Sequence, residues 1–234
     1  MNTRVKALFI ILAVAGWVSC KKNNDAPTIS LTTNVNFVNA SNNVINFYIN
    51  GSRINNTPSY FPGGTLGYIP VVSGKQDLQV KIAGSDNANP LFTLPLALDT
   101  GKKYTVYVSG IAVENTFFTT DTLKAATGNV ATVRFVNASP DAGPLALLFE
   151  GGSAKTVIID TTKFDKIPYK ITTAFINVPS GTHNLGIYRS SLGLASVVRD
   201  TVTLSAGRIY TVYGYGSVGQ GGSQALSTGL IVNQ

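Results

Sequence analysis

One cysteine, one histidine, one tryptophan and one methionine are all that 234 residues hold of these four types. Each scarcity removes a class of function. A lone cysteine, Cys20, forms no internal disulfide and no multi-thiolate metal centre. A lone histidine, His183, cannot build the usual zinc sites of hydrolases, and it leaves any serine nucleophile a single choice of base. It sits in "PSGTHNL", a string of turn formers, where an exposed position is expected. Charge is thin as well: charged side chains are 12% of the chain, and the net charge of +7 comes from scattered residues. No basic run exceeds the pairs Lys21–Lys22 and Lys102–Lys103, whereas nucleic-acid binding needs a clustered basic face. Nucleic acid is therefore not an expected partner.

Carboxylates offer the remaining route to catalysis. Asp160 and Asp165 flank "TTKF", and Asp141 and Glu150 flank a predicted strand. Acids at strand ends are ordinarily solvated turn residues, and no Asp-x-Asp-x-Asp string marks a calcium loop. A hydrolase working by carboxylates alone stays as a rival reading; neither metal nor cofactor is expected. "GYGSVG" at Gly214–Gly219 has the spacing of a dinucleotide-binding turn, which works only at the start of a helix, whose N-terminus holds the pyrophosphate. The next residues here are "QGGSQALSTGLIV", a glycine-rich loop running into a final strand. A hairpin loop is expected there.

What the chain does have begins at its start. "MNTRVK" is basic, "ALFIILAVAGWV" is an apolar run too short to span a bilayer comfortably, and Ser19 precedes Cys20. Residues 1–19 resemble a bacterial lipoprotein signal peptide. That resemblance implies cleavage before Cys20 and acylation of its thiol, giving a membrane anchor. Residues 20–33, opening "KKNNDAPTISLTT", read as a flexible tether. Lys21 is not the aspartate that retains such proteins in an inner membrane, so the outer membrane is the expected location. The surface and the periplasmic face both stay open.

Beyond the tether the chain says the same thing twice. "FVNAS" stands at Phe37–Ser41 and again at Phe135–Ser139. "IPVVSGKQDLQV" from Ile69 returns as "INVPSGTHNLGI" from Ile176, and "GKKYTVYVSG" at Gly101–Gly110 returns as "GRIYTVYGYG" at Gly207–Gly216. Three blocks in one order mean two copies of one unit. Copy one is expected over 34–123, a linker over 124–129, and copy two over 130–234. "KYTVYV" sets Tyr104, Val106 and Val108 against Thr105 and Tyr107, the period-two pattern of a strand. Similar β-branched and aromatic runs are punctuated by "SGK", "DTG", "PSG" and "SAG". No stretch carries a helical period. The expectation is all-β: two tandem immunoglobulin-like or fibronectin-III-like antiparallel β-sandwiches, with about seven short strands each. Phe37 and Phe135 should be core, with Ser139, Pro140 and Asp141 supplying turn chemistry.

"LDTGKKYTV" and "LSAGRIYTV" place Leu, Gly and Tyr at fixed spacing, resembling the tyrosine corner of such sandwiches. Tyr104 and Tyr210 would then bond backbone across a corner. "VRFVNASPDAGPLALLFEGG" is similar to the opening of domain of unknown function 4397, an envelope family often found in tandem. Copy two keeps Ala138, Ser139, Pro140, Asp141 and Ala142, with Asn137 where that family's histidine usually stands. Copy one has Asn39 there, and Asn42–Asn43 in place of Pro-Asp. The resemblance runs over nearly all of the chain after Cys20, and it supports the fold rather than any activity.

Two sets of residues remain as candidate sites. Tyr60 and Phe61 lie in "TPSYFPGG", where large rings either form a ligand platform or fold back as a plug under their own sandwich. "DTL", "DTT" and "DTV" resemble a short O-glycosylation acceptor of bacterial envelopes, which would place glycans on Thr122, Thr161 and Thr201. Together these features predict a lipid-anchored envelope protein without enzyme activity, serving in binding, adhesion or spacing. Its partners would be the membrane through Cys20 and a glycan or another envelope protein. The alternative is an accessory subunit of an outer-membrane uptake or secretion complex.

Overall fold

Turn glycines set where the strands begin. Gly101 (φ 73°) and its counterpart Gly207 (φ 70°) occupy the left-handed region, which costs glycine nothing, and each releases the chain into the Tyr-Thr-Val-Tyr strand. In this computed structural model the described residues are 31–55, 59–85, 88–121, 127–150, 164–193 and 198–233. They contain no α-helix.

The first sandwich is built from β1 (Thr32–Asn39), β2 (Ile45–Ile49), β3 (Ser52–Arg53), β4 (Ile69–Val72), β5 (Gly74–Ile82), β6 (Phe92–Leu98), β7 (Lys103–Val108) and β8 (Thr116–Thr120). Its sheets run β4-β1-β7-β8 and β3-β2-β5-β6. The second contains β9 (Val130–Asn137), β10 (Leu145–Glu150), β11 (Ile176–Pro179), β12 (Gly181–Arg189), β13 (Val198–Leu204), β14 (Ile209–Tyr215) and β15 (Ser227–Val232). Its sheets run β11-β9-β14-β15 and β10-β12-β13, repeating the order of the first. Two tandem β-sandwiches are what the sequence predicts.

One pairing in each departs from the antiparallel rule: β1 with β7 and β9 with β14 are parallel. Parallel neighbours need a long crossover connection. The strands between them, which visit the other sheet, provide it.

Each sandwich has its own core. Phe37, Phe47, Leu78, Val80 and Val106 fill the first; Phe135, Leu145, Phe164, Leu185 and Val212 fill the second. Both FVNAS phenylalanines are fully buried, as expected. The tyrosine corners form too. Tyr104 Oη accepts from the Asp99 N–H at 3.3 Å, and Tyr210 Oη accepts from the Ser205 N–H at 2.9 Å.

Two expectations are overturned. His183 is not at a surface turn tip: it is 5% exposed, on β12. Gly181 (φ 129°) turns the chain so tightly that the strand starts at once, and the two-residue period carries position 183 inward. Its Nε2 lies 2.7 Å from the Pro179 carbonyl and its ring meets Phe149 edge-on. Gln76, its counterpart, is buried as well and accepts from Asn50 Nδ2 at 2.7 Å. The other correction is Tyr107, on the polar side of the alternation yet fully buried. Nearly all of β7 and β14 is buried on both faces, because Leu31–Gln234 packs as one compact unit.

The seam between the sandwiches explains this. Val38 and Val136, Ala40 and Ala138, and Tyr107 and Tyr213 are equivalent positions of the two copies, and all six share one apolar cluster. The two tyrosine rings meet edge-on at 5.9 Å. Like positions meeting like is the arrangement of an isologous dimer, here within one chain.

Candidate functional site

Asn39 and Asn137 end the repeated strands and organise the loops beyond them. Asn39 Nδ2 donates to the carbonyls of Asn43 (2.7 Å) and Tyr60 (2.8 Å), while its Oδ1 accepts from the Ser41 N–H and hydroxyl. Asn137 does the same with the carbonyls of Gly143 and Ile167 and the Ser139 N–H. A primary amide has two donors and a two-lone-pair acceptor, so each side chain clamps its own turn and a second loop together. Sequence reasoning read this string only as a strand entering a turn. The one signal available was its recurrence.

The clamp on Tyr60 positions the loop that carries it. Tyr60 pairs with Ile45 through backbone bonds of 2.9 and 3.0 Å, and its ring sits 5.7 Å from that of Phe47. Burial pushes its phenol up. Phe61, the next residue, is 60% exposed. The pair therefore splits, with Tyr60 turned to the core and Phe61 to solvent.

The same loop reaches the second sandwich. Tyr213 Oη donates to the Gly63 carbonyl at 2.8 Å, and a Cβ at Gly63 would lie 2.2 Å from the Tyr215 ring. Asn42 Nδ2 donates to Ser217 Oγ (2.8 Å), and Gln224 Nε2 to the Asn42 carbonyl (2.9 Å). One loop of copy one is thus stitched to β14 itself, and another to the loop between β14 and β15. On its other side that loop borders a cleft of about 280 Å³, lined by Arg189, Leu192, Ser217, Val218, Gln220 and Leu226 among others. Asp141 braces it from below, accepting the Val218 N–H at 3.2 and 3.3 Å.

A buried polar cluster lies deeper in the seam. Asp121 pairs with Arg134 and accepts from the hydroxyls of Tyr68 (2.6 Å), Thr105 (2.5 Å) and Thr119 (2.9 Å). Arg134 Nε donates to Thr211 at 2.9 Å, and its guanidinium lies over the Phe175 ring. Burial, then the Asp121 carboxylate, raise the Tyr68 phenol, which stays a neutral donor. Asp121 and Arg134 are 2% and 3% exposed, so the cluster works as a lock between copies rather than as a surface for chemistry.

Of the remaining sequence candidates, Thr201 is exposed on β13, its hydroxyl donating to Asn184 Oδ1 at 3.0 Å. Cys20, Thr122, Thr161 and Asp160 lie outside the described residues, as do the signal segment, most of the tether and part of the linker. Asp165 accepts from Ser190 Oγ. Among the described residues no three His, Cys, Asp or Glu side chains group to hold a metal ion.

Fold and site define a fused pair of β-sandwiches with a loop-built rim. The family model described as "Domain of unknown function (DUF4397)" matches residues 33–148, from β1 into β10, so this stretch resembles that family as the sequence predicts. No curated protein matches the chain. Among solved structures it is similar to a carbohydrate-binding module from Eubacterium rectale in complex with maltoheptaose, at 12% identity and TM-score 0.26, over 86% of this chain and 96% of that one. A streptococcal virulence factor that binds alpha-glucan matches at 9% identity and TM-score 0.25, over 77% and 92%. A candidate cell adhesion protein from Parabacteroides distasonis matches at 8% identity and TM-score 0.24, over 86% and 98%.

Proposed function

We propose that this chain is a lipid-anchored protein of the outer membrane that binds a glycan or another envelope protein without catalysis. The observation that carries the binding role is the rim: the loop held by Asn39 at Tyr60 and by Tyr213 of the other copy at Gly63 presents Phe61 to solvent. The groups best suited to acid–base work are engaged elsewhere, His183 with a backbone carbonyl and Asp121 with Arg134. Anchoring rests on the signal-like segment ending at Cys20. Thr201, and with it Thr122 and Thr161, are the proposed glycan acceptors.

Detergent partitioning of the full chain expressed in a lipoprotein-processing host tests the anchor. The native chain is expected in the detergent phase and Cys20→Ala in the aqueous phase; equal partitioning of the two rejects the anchor. Protease added to intact cells then separates a surface location, with digestion, from a periplasmic one, with protection until lysis. For the mature protein taken from its own host, an intact mass equal to polypeptide plus lipid alone removes the glycan acceptors.

A further inference from the structure

The duplication provides an internal control. What a sandwich of this kind needs occurs in both copies, so a feature present in one copy alone is not demanded by the fold. Phe118 on β8 is such a feature. It stands opposite Val106, which is fully buried, so the two-residue period points its ring to the inner face. The ring is nevertheless 54% exposed. It meets Tyr104 edge-on at 6.1 Å and borders an apolar slot formed with Leu96, Leu98 and Val106. The counterpart in copy two is Leu230, opposite Val212 and packed against the core. There Thr228 Oγ1 on β15 donates to Asp200 on β13 at 3.1 Å and closes that side of the sandwich. Among the described residues no such bond joins β6 to β8 in copy one.

The edge of β8 is unguarded as well. Exposed strand edges are ordinarily blunted by proline or charge. β4, β6 and β11 carry Pro70, Pro95 and Pro179, and β13 carries Arg199 and Asp200. β8 reads Thr-Phe-Phe-Thr-Thr and has neither. Ser109 N–H bonds the Asn115 carbonyl and Asp121 N–H the Lys103 carbonyl, so odd-numbered residues of this strand face β7 and even-numbered ones face outward. Of the outward groups, Thr116 N–H is spent on the Val113 carbonyl, and the Thr120 carbonyl accepts from Arg134 Nη1. The Thr116 carbonyl, both backbone groups of Phe118 and the Thr120 N–H have no partner among the described residues. Turned about a two-fold axis at Phe118, these groups answer one another. Phe118 N–H meets the Phe118 carbonyl of a second chain, in both directions. Thr120 N–H meets the Thr116 carbonyl of that chain, again twice. The groups already spent face each other and need nothing. No like charges oppose, and both rings fall on one face, where cross-strand aromatic pairs add stability.

We infer that β8 is a docking edge for a second copy of this chain, paired antiparallel with Phe118 on the axis. The two four-stranded sheets then become one. This goes beyond the binding role proposed above. β1 runs parallel to β7 and β7 antiparallel to β8, so the pairing sends the two tether-bearing ends of β1 in opposite directions. Where the proposed anchor holds, it joins chains on facing membranes. Sedimentation equilibrium of the chain from residue 20, carrying Cys20→Ala, tests the dimer. A mass climbing towards twice the monomer across the micromolar range is expected. Phe118→Lys sets two cations together on the axis and should weaken association at least about tenfold, with circular dichroism showing a folded monomer. A monomer mass up to millimolar concentration overturns the inference, as does undiminished association in Phe118→Lys. Because the Cys20→Ala chain has no thiol, Phe118→Cys gives a second reading. Residues of a hydrogen-bonded antiparallel pair lie about 5.5 Å apart, within disulfide reach. Oxidation should join Phe118→Cys chains and leave Leu192→Cys chains, similarly exposed, unjoined. Equal joining of both, or of neither, overturns it too. Vesicles bearing the lipidated native chain should cluster and those bearing Phe118→Lys should not; a solution dimer without clustering overturns the facing-membrane arrangement alone. A chain that does not partition into detergent overturns only the anchor, since sedimentation needs no lipid.

Discussion

Asp121, just past the end of β8, and Arg134, in the middle of β9, form a buried ion pair that joins one sandwich to the other. Their counterparts do not repeat it. The position of Arg134 in copy one is Asn36, opposite Thr105 as Arg134 is opposite Thr211. The position of Asp121 in copy two is Asn233, which donates to Tyr68 Oη at 2.7 Å. The apolar seam is self-complementary, but its charge lies on one diagonal only. Pairing copy one with copy one would bury two aspartates, and copy two with copy two would bury two arginines. The polar cluster thus selects the unlike pairing that the apolar contacts alone do not.

Asp121→Asn leaves Arg134 buried without its counter-charge. Removing one partner of a buried pair costs about 3–5 kcal/mol, whereas replacing both by packed apolar residues is often neutral. Denaturant unfolding should show that loss for Asp121→Asn and recovery of most of it in Asp121→Leu/Arg134→Met. A loss under about 1 kcal/mol in the single variant would mean that the pair does not hold the seam.

Tyr107 and Tyr213 occupy equivalent positions but not equivalent environments. Tyr213 Oη donates to the Gly63 carbonyl, while Tyr107 Oη is buried with no partner among the described residues. An unsatisfied buried hydroxyl carries a desolvation cost of roughly 1–3 kcal/mol, and a made hydrogen bond contributes about 1 kcal/mol. Tyr107→Phe is therefore expected to be neutral or stabilising and Tyr213→Phe destabilising. Equal shifts in the two unfolding midpoints would refute the asymmetry.

Much of this was legible in the sequence. The repeat blocks, the β runs and the tyrosine corners are local signals, and Phe37, Phe135, Tyr104 and Tyr210 stand where they predict. The seam was not legible. An alternating strand shows which residues share a face but not whether a second layer covers the other one, so Tyr107 reads as solvent-facing until copy two is placed on it. His183 was lost for a related reason: its turn string is real, and the strand simply begins earlier than turn composition suggests. The clamp by Asn39 and Asn137 depends on carbonyls brought from loops distant in sequence, which no spacing encodes.

Alkaline pH should probe the seam directly. Burial raises the phenols of Tyr68, Tyr107 and Tyr213, with the Asp121 carboxylate adding to the effect on Tyr68. In the unfolded chain they lose their protons near the ordinary tyrosine value of about 10. Above that pH the unfolded state binds fewer protons than the folded one, so the contribution of these three groups to stability is constant below about pH 10 and falls as pH rises further. Absorbance at alkaline pH should show these three rings ionising together with loss of tertiary circular dichroism. Ionisation of every tyrosine near pH 10 in a still-folded chain would contradict their burial.

The Asn39 clamp can be tested with a substitution that changes one atom. Asn39→Asp keeps the oxygen that serves Ser41 but sets a carboxylate oxygen against the carbonyls of Asn43 and Tyr60. The donor becomes an acceptor: the Tyr60 carbonyl keeps the Ile45 N–H and the Asn43 carbonyl a long bond from the Ser41 hydroxyl, but both lose the amide and face a carboxylate oxygen instead, at a total of roughly 1–3 kcal/mol. The folded state then disfavours the charged carboxylate, so its pKa is raised on folding. The deficit relative to the native chain should accordingly be largest at pH 7 and shrink as pH falls towards the unfolded value of about 3.9, where a protonated oxygen can again donate to one carbonyl. Unfolding midpoints of both chains, taken in parallel across this range, give the difference directly. An Asn39→Asp chain as stable as the native one at pH 7 would show that the loop carrying Tyr60 and Phe61 is held by its backbone alone.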